Sequence, residues 1–209
     1  MSGTRPSTFL ALGDSYTIGE GLAASESWPA QLVPLLRARG IAIADPTILA
    51  RTGWTTVELL AAIDSARLEP PYDLVTLLIG VNDQYRGGSA ADYRPRFREL
   101  LERAVALAGA DAGRVIVLSI PDWSVTPFAA GRDRGAISRA IEAFNRVGRE
   151  ETHLRSAPRW VDVTEASRAD ARDDRLLAAD GLHPSAAMYA EWVRLVLPAA
   201  VQILEPRKT

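Results

Sequence analysis

Cysteine is absent from this sequence of 209 residues, histidine occurs twice and lysine occurs once. The absence of thiols excludes disulfides and cysteine nucleophiles, and with only two histidines it argues against a structural zinc site. The single lysine, Lys208, lies in the C-terminal tail. That position argues against chemistry that needs a placed lysine, such as a Schiff base or a phosphate-binding P-loop.

Long apolar runs and an excess of positive charge are also missing. No stretch approaches the roughly 20 apolar residues of a membrane span, and residues 1–8 lack the apolar core of a signal peptide. The formal net charge of −2 points to neither nucleic acid nor an anionic membrane as a partner. The sequence therefore predicts a cytoplasmic protein without nucleic-acid or membrane partners.

The composition is that of an ordinary globular protein, with 47% hydrophobic and 24% charged residues. The length suits one well-buried domain, and the sequence contains neither a repeat nor a linker. We therefore expect a single domain over residues 1–209, with loose ends at residues 1–7 and 205–209.

Short apolar runs alternate along the chain with segments of helical periodicity. The apolar runs predict strands at about 9–12, 44–50, 73–80, 114–120 and 159–163. The periodic segments predict helices at about 28–39, 56–66, 92–108, 135–155 and 185–204. This alternation predicts a three-layer α/β/α sandwich around a five-stranded parallel sheet, with the strand order 2-1-3-4-5.

Two polar features are interpreted as parts of the solvent-exposed surface and not as parts of a functional site. The predicted helix at 92–108 carries four arginines interleaved with glutamates, which is typical of a solvated helix face. Those arginines are Arg94, Arg96, Arg98 and Arg103. His153 ends the following helix and is interpreted as a surface histidine near a helix C-terminus.

Ser15 follows the first predicted strand directly, in the sequence Gly13-Asp14-Ser15. Ligands of open α/β sheets bind at the carboxyl ends of the strands, and Gly53 and Asn82 follow the second and third strands at that same edge. A glycine N–H and an asparagine amide are both suitable donors to a developing oxyanion. The alternative is that all three positions are ordinary turn residues.

A serine hydroxyl needs a base, and His183 is the better placed of the two histidines. Asp180 precedes it by three residues, close enough to accept from the imidazole and fix its tautomer. Pro184 suits the first turn of the last helix, so His183 would lie in a rigid turn. The alternative is that Asp180 and His183 only cap that helix.

Four blocks of this sequence resemble those of the SGNH, or GDSL-type, hydrolase family, in the family's order. They are Gly13-Asp14-Ser15-Tyr16, Gly53, Gly80-Val81-Asn82-Asp83 and Asp180-Gly181-Leu182-His183-Pro184. The resemblance implies a flavodoxin-like domain with Ser15 as nucleophile, His183 as base and Asp180 orienting it. It also implies an oxyanion hole formed by the backbone N–H groups of Ser15 and Gly53 and the side chain of Asn82, with no metal ion or organic cofactor.

Tyr16 departs from the family pattern, which usually has leucine there, and we expect it to affect pocket shape rather than chemistry. Three aromatic residues, Trp54, Trp123 and Phe128, lie on loops at the predicted edge and are candidates for the substrate pocket, with core packing as the alternative. Asp14 and Asp83 are too isolated from further ligands to predict a metal site.

The resemblance implies a serine esterase that acts on a small-molecule ester, and short acyl or acetyl groups are expected because no long apolar insertion is present. Family members act on lipids, thioesters, acetylated sugars and simple esters. A thioesterase, a lysophospholipase and a carbohydrate acetylesterase therefore stay open. The alternative outside enzymes is a flavodoxin-like domain that binds a small ligand without turnover.

Overall fold

A computed structural model describes residues 5–155, 158–169 and 174–205, and within them the predicted architecture is confirmed. Five parallel strands form one sheet in the order β2-β1-β3-β4-β5. The strands are β1 (Phe9–Gly13), β2 (Thr47–Ala50), β3 (Leu74–Leu78), β4 (Val115–Leu118) and β5 (Arg159–Val161). The helices are α1 (Ser15–Ile18), α2 (Trp28–Arg37), α3 (Thr56–Ser65), α4 (Val81–Tyr85), α5 (Ala90–Leu107), α6 (Arg134–His153), α7 (Thr164–Ala169) and α8 (Ala186–Leu204).

The sheet register aligns the ends of the three strands that lead to the predicted site. Gly13, the last residue of β1, pairs with Ala50 of β2 on one side and with Leu78 of β3 on the other. A Cβ atom on Gly13 would lie 2.1 Å from the hydroxyl of Thr17 and 2.6 Å from the carbonyl oxygen of Leu78. Only glycine therefore lets the chain turn into α1 this close to β3.

The strands β1, β3 and β4 are buried along their whole length, as their continuous apolar sequences predict. Helices cover the sheet, with α2 packed against α8, and α5 packed against both α3 and α6. The short helices α1 and α4 were not predicted, because four or five residues are too few to display a helical period. Both begin directly after a strand and both carry candidate site residues.

The structure corrects one prediction at the margin of the fold and adds an ion-pair contact to a second. Ser7, expected in a loose end, pairs with Ile43 through hydrogen bonds to both neighbours of that residue. The arginines of α5 form a solvated helix face as predicted, with the side chains of Arg94 and Arg98 36% and 49% exposed, and both also bind the carboxylate of Glu151 on α6, which is only 1% exposed. These ion pairs join the two helices across the surface of the sandwich.

Among the described residues, one helix is long and apolar enough by length and composition to cross a membrane, although Glu191 and Arg194 interrupt its apolar sequence. This helix is α8, and 39% of its most apolar stretch is buried within the fold. Its buried face includes Tyr189, Trp192 and Val196, and it packs on α2. Core helices of soluble proteins pass the same test of length and composition, so it is weak evidence for a span. The cytoplasmic location stays a prediction.

Candidate active site

Ser15 is the first residue of α1 and lies at the carboxyl edge of the sheet. The side chain of Asp14 caps this helix by accepting a hydrogen bond from the backbone N–H of Tyr16 at 3.0 Å. The cap fixes the backbone on which the hydroxyl of Ser15 stands. Ser15 is 5% exposed, so its hydroxyl lies at the base of a depression rather than on an open surface.

His183 and Asp180 lie in one turn before α8, and the structure brings both to Ser15. The imidazole Nε2 of His183 is 3.0 Å from the hydroxyl of Ser15, and its Nδ1 is 2.5 Å from a carboxylate oxygen of Asp180. The other oxygen of Asp180 accepts the backbone N–H groups of Leu182 and His183, each at 2.9 Å. The aspartate therefore holds both the histidine ring and the turn that carries it.

The charge of Asp180 is stabilised by these donors. Partial burial raises its pKa, but hydrogen bonds from the His183 ring and from two backbone N–H groups outweigh burial and hold the pKa below its ordinary value. An ionised Asp180 favours a proton on the Nδ1 atom of His183. The Nε2 atom is then free to accept the proton of the Ser15 hydroxyl, which is the geometry that activates a serine.

The candidate oxyanion donors lie beside Ser15. Gly53 has a φ of +83°, a conformation that L side chains rarely adopt, and it turns the chain after β2. Asn82 lies in α4, and one N–H of its amide donates to the carbonyl oxygen of Trp54 at 2.9 Å. The second N–H of that amide is available to a ligand, because an asparagine amide has two donors.

A cavity of about 180 Å³ joins these residues. The serine and the histidine lie at its polar end, and aromatic and aliphatic side chains form most of its wall. The lining residues are Ser15, Tyr16, Thr52, Gly53, Val81, Asn82, Tyr85, Trp123, Phe128, Leu182 and His183. Apart from Asp180, which acts from behind His183, every residue that was predicted for catalysis or for the oxyanion hole lines this cavity.

The structure separates the three aromatic pocket candidates. Trp123 and Phe128 line the cavity, but the prediction for Trp54 is corrected. Its carbonyl oxygen faces Asn82, and its partly buried ring packs against the hydrophobic core, which was the alternative. Tyr16 lines the cavity and packs on the imidazole of His183, with 5.4 Å between ring centroids.

Tyr85 is the pocket residue that sequence reasoning missed. It is 47% exposed, lines the cavity and packs against Trp123 and Phe128, with ring centroids 5.6 and 6.2 Å away. A signal was present, because Tyr85 follows Asn82 by three residues and would lie on the same face of any helix that started at Val81. Because the helix α4 was not predicted, there was no reason to place Tyr85 on the same face as Asn82.

Within residues 5–155, 158–169 and 174–205, no group of three or more histidine, aspartate or glutamate side chains is arranged to hold a metal ion. Asp83, which the sequence analysis considered together with Asp14, instead accepts two hydrogen bonds from Thr56. The carboxylate of Asp83 is therefore engaged with Thr56 rather than held as a metal ligand.

Asp14 makes the stability of the fold depend on pH. Burial raises its pKa to about 8; the N–H of Tyr16 opposes this shift and the Asp83 carboxylate adds to it, while one carboxylate oxygen is buried without a hydrogen-bond partner. Between the unfolded value of 3.8 and this raised value, the native state holds a proton that the unfolded state releases. Stability contributed by Asp14 is therefore lost as pH rises through that window.

The variant Asp14→Asn keeps the cap on Tyr16 without a titrating group. Between pH 5 and pH 8, we expect the unfolding free energy of the wild type to fall by roughly 3 kcal/mol more than that of the variant. Urea unfolding at both pH values measures this difference. Asp45→Asn, at an exposed aspartate, is the control and should follow the wild type. Parallel pH dependence of wild type and Asp14→Asn would contradict a buried, protonated Asp14.

The parallel α/β/α sandwich with the strand order 2-1-3-4-5 and the Ser–His–Asp arrangement at its carboxyl edge define a hydrolase of the SGNH class. Residues 11–191 match the GDSL-like Lipase/Acylhydrolase family, and the chain belongs to that family of ester-hydrolysing enzymes. The resemblance inferred from the four sequence blocks is thereby confirmed.

Several proteins similar to this chain are named as esterases. The chain is 26% identical over 207 residues to Esterase TesA of Pseudomonas aeruginosa, covering 94% of this chain and 89% of the relative. A crystal structure of TesA matches with a TM-score of 0.73 and 25% identity, over 95% of this chain and 100% of the other. Axe2, an acetylxylan esterase from Geobacillus stearothermophilus, shares the fold with a TM-score of 0.70 and 20% identity, over 99% and 98% of the two chains.

Proposed function

We propose that this protein is a serine esterase that hydrolyses carboxylic esters with short acyl groups. The observation that carries the proposal is the chain of hydrogen bonds from Asp180 through His183 to Ser15, which ends inside the cavity. His183 removes the proton of Ser15 as the hydroxyl attacks the ester carbonyl. The acyl-serine then reacts with a water that His183 activates, and the acid is released.

The tetrahedral intermediates carry a negative oxygen that needs preorganised donors. The backbone N–H groups of Ser15 and Gly53 and the free N–H of Asn82 are the donors in this proposal. All three residues line the cavity beside the Ser15 hydroxyl. No step of this reaction needs a metal ion or an organic cofactor.

The size of the cavity supports a small acyl group. Its volume of about 180 Å³ is below the roughly 300–1,000 Å³ of sites for drug-sized ligands. Aromatic rings close it on one side and would also suit a sugar ring, so an acetylated carbohydrate is the second candidate substrate. The structural likeness to an acetylxylan esterase favours including it.

The experiment that tests this function is hydrolysis of p-nitrophenyl esters from acetate to decanoate, with acetylated xylose and a short acyl thioester alongside. We expect the highest kcat/KM for the acetate or butyrate and stoichiometric labelling by a fluorophosphonate. A folded protein that neither turns over any of these compounds nor reacts with the fluorophosphonate would instead support a binding domain without turnover.

Arg132 contacts the three aromatic rings that form one wall of the cavity. Its guanidinium lies over the rings of Tyr85, Trp123 and Phe128 at 5.2, 5.6 and 5.2 Å from their centroids. It also donates a hydrogen bond to the hydroxyl of Tyr85 at 3.2 Å. Because Tyr85 and Phe128 are each more than one-third exposed, the arginine restrains two walls that core packing does not fix.

Arg132→Ala is expected to loosen those walls and raise the octanoate-to-acetate ratio of kcat/KM by about 3- to 10-fold, in keeping with a cation–π contribution of about 0.5–2 kcal/mol. Steady-state kinetics with the two p-nitrophenyl esters measure the ratio. Arg96→Ala, at an exposed position of α5, is the control and should leave the ratio unchanged. An unaltered ratio in Arg132→Ala would show that the wall does not limit acyl length.

A further inference from the structure

Asp83 lies directly after Asn82 in α4, and its carboxylate is bound to a segment 27 residues earlier in the chain. One oxygen accepts the backbone N–H of Thr56 at 2.9 Å, and the other accepts the hydroxyl of Thr56 at 2.6 Å. Asp83 is only 7% exposed. A buried carboxylate is costly unless donors satisfy it, and Thr56 supplies two of them.

Thr56 is the first residue of α3 and follows Gly53 by three residues. Its N–H is one of the four at a helix start that have no partner within the helix. Thr55 caps the same helix by accepting from the N–H of Glu58. Two side chains therefore fix this helix start, and the one from Asp83 also ties it to the helix that carries Asn82.

Two further hydrogen bonds join α4 to the segment around Gly53. The amide of Asn82 donates to the carbonyl oxygen of Trp54 at 2.9 Å, and the guanidinium of Arg86 donates to the carbonyl oxygen of Gly53 at 2.6 Å. The side chain of Arg86 is 54% exposed, so water competes for its contact. The Asp83–Thr56 contact is the buried one.

We propose that Asp83 is the positioning residue of the oxyanion hole: by holding Thr56 it sets the separation between the N–H of Gly53 and the amide of Asn82. This inference rests on the proposed function, which makes those two groups oxyanion donors. Gly53 follows β2 and Asn82 follows β3, so the sheet alone does not fix the distance between these two donors. The pair of hydrogen bonds at Thr56 joins the two segments within three residues of Gly53 and one residue of Asn82.

Catalysis depends on this separation more steeply than folding does. Donors must lie about 2.7–3.1 Å from the position of the oxyanion, and a displacement of about 1 Å can cost about 100-fold in rate. Loss of the Asp83 contact should therefore lower kcat, the parameter that reports stabilisation of the transition state. KM should change little, because the cavity walls that bind the acyl group do not involve Asp83.

The test is a set of variants assayed with p-nitrophenyl acetate. We expect Asp83→Ala to lower kcat by about 10- to 100-fold with KM within about twofold of the wild type. Asp83→Asn should recover most of the loss, because its amide oxygen accepts the N–H of Thr56 and its NH₂ donates to the hydroxyl. Thr56→Val removes only the hydroxyl and should lower kcat by about 3- to 10-fold, because the backbone N–H of Thr56 still holds the carboxylate. Asp45→Ala, at an exposed aspartate, is the control.

A double-mutant cycle with Asn82→Ala separates positioning from general destabilisation. If Asp83 acts through the oxyanion hole, Asp83→Ala should reduce kcat less when Asn82 is already alanine than it does in the wild type, because one of the two donors whose separation it sets is then absent. Full additivity, or an unchanged kcat in folded Asp83→Ala and Thr56→Val, would overturn the inference. If Asp83→Ala fails to fold, Thr56→Val in the same cycle decides the question. An unchanged kcat in Asn82→Ala alone would instead overturn the oxyanion role in the proposed function.

Discussion

Ser15→Ala is expected to lower kcat for p-nitrophenyl acetate by roughly 10⁴- to 10⁶-fold, the range for removal of an activated serine nucleophile. Without the hydroxyl, no acyl-serine can form, and the histidine and the oxyanion donors are left to act on water alone. Alanine removes one buried oxygen and keeps the backbone that Asp14 caps. The variant should therefore stay folded, which thermal unfolding checks.

The matched control is Ser65→Ala at the exposed end of α3, where the hydroxyl contacts only carbonyl oxygens of its own helix. It should keep wild-type kcat. Fluorophosphonate labelling gives a second, independent measurement, because the label forms a bond to the nucleophile itself. Peptide mapping should place the label on Ser15 in the wild type and find none in Ser15→Ala. Labelling that survives the substitution would assign the nucleophile elsewhere.

The sheet and its strand order could be predicted because each central strand is apolar on both faces. Leu74–Leu78 is apolar except for Thr76, so its sequence lacks the alternation of polar and apolar residues that indicates a surface strand. All five residues are buried, as this sequence predicts. The order 2-1-3-4-5 is a common order of doubly wound sheets, and right-handed crossovers then place the helices on its two faces. The positions of Ser15, Gly53 and Asn82 at one edge of the sheet were predictable for the same reason, because each follows a strand within four residues.

Contacts between distant segments were not predictable from one sequence. Arg94 and Arg98 follow a pattern typical of a solvated helix face, and only the packing of α5 on α6 buries Glu151 between them. The hydrogen bond between Thr56 and Asp83 was equally unpredictable, because neither the residue types nor their separation of 27 residues indicates a contact. Trp54 was misassigned because its position at the edge was predictable but the direction of its side chain was not.

Asp180→Asn is expected to lower kcat by about 10⁴-fold, although asparagine has nearly the same shape. Its Oδ1 can still accept the N–H groups of Leu182 and His183, so the turn should be retained. Its NH₂ group would face the Nδ1 atom of His183 in place of an acceptor. The ring would then carry its proton on Nε2, and it could no longer accept the proton of Ser15.

The pH profile tests whether Asp180 acts as an ionised carboxylate. Hydrogen bonds hold the pKa of Asp180 below its ordinary value despite partial burial, so the carboxylate stays ionised throughout the range from pH 5 to pH 9. The deficit of Asp180→Asn should therefore be nearly constant over that range, and Asp111→Asn, an exposed aspartate remote from the site, should show none. Activity within about tenfold of the wild type would mean that Asp180 does not orient His183. The turn before α8 would then serve only to cap that helix, which is the alternative that the sequence left open.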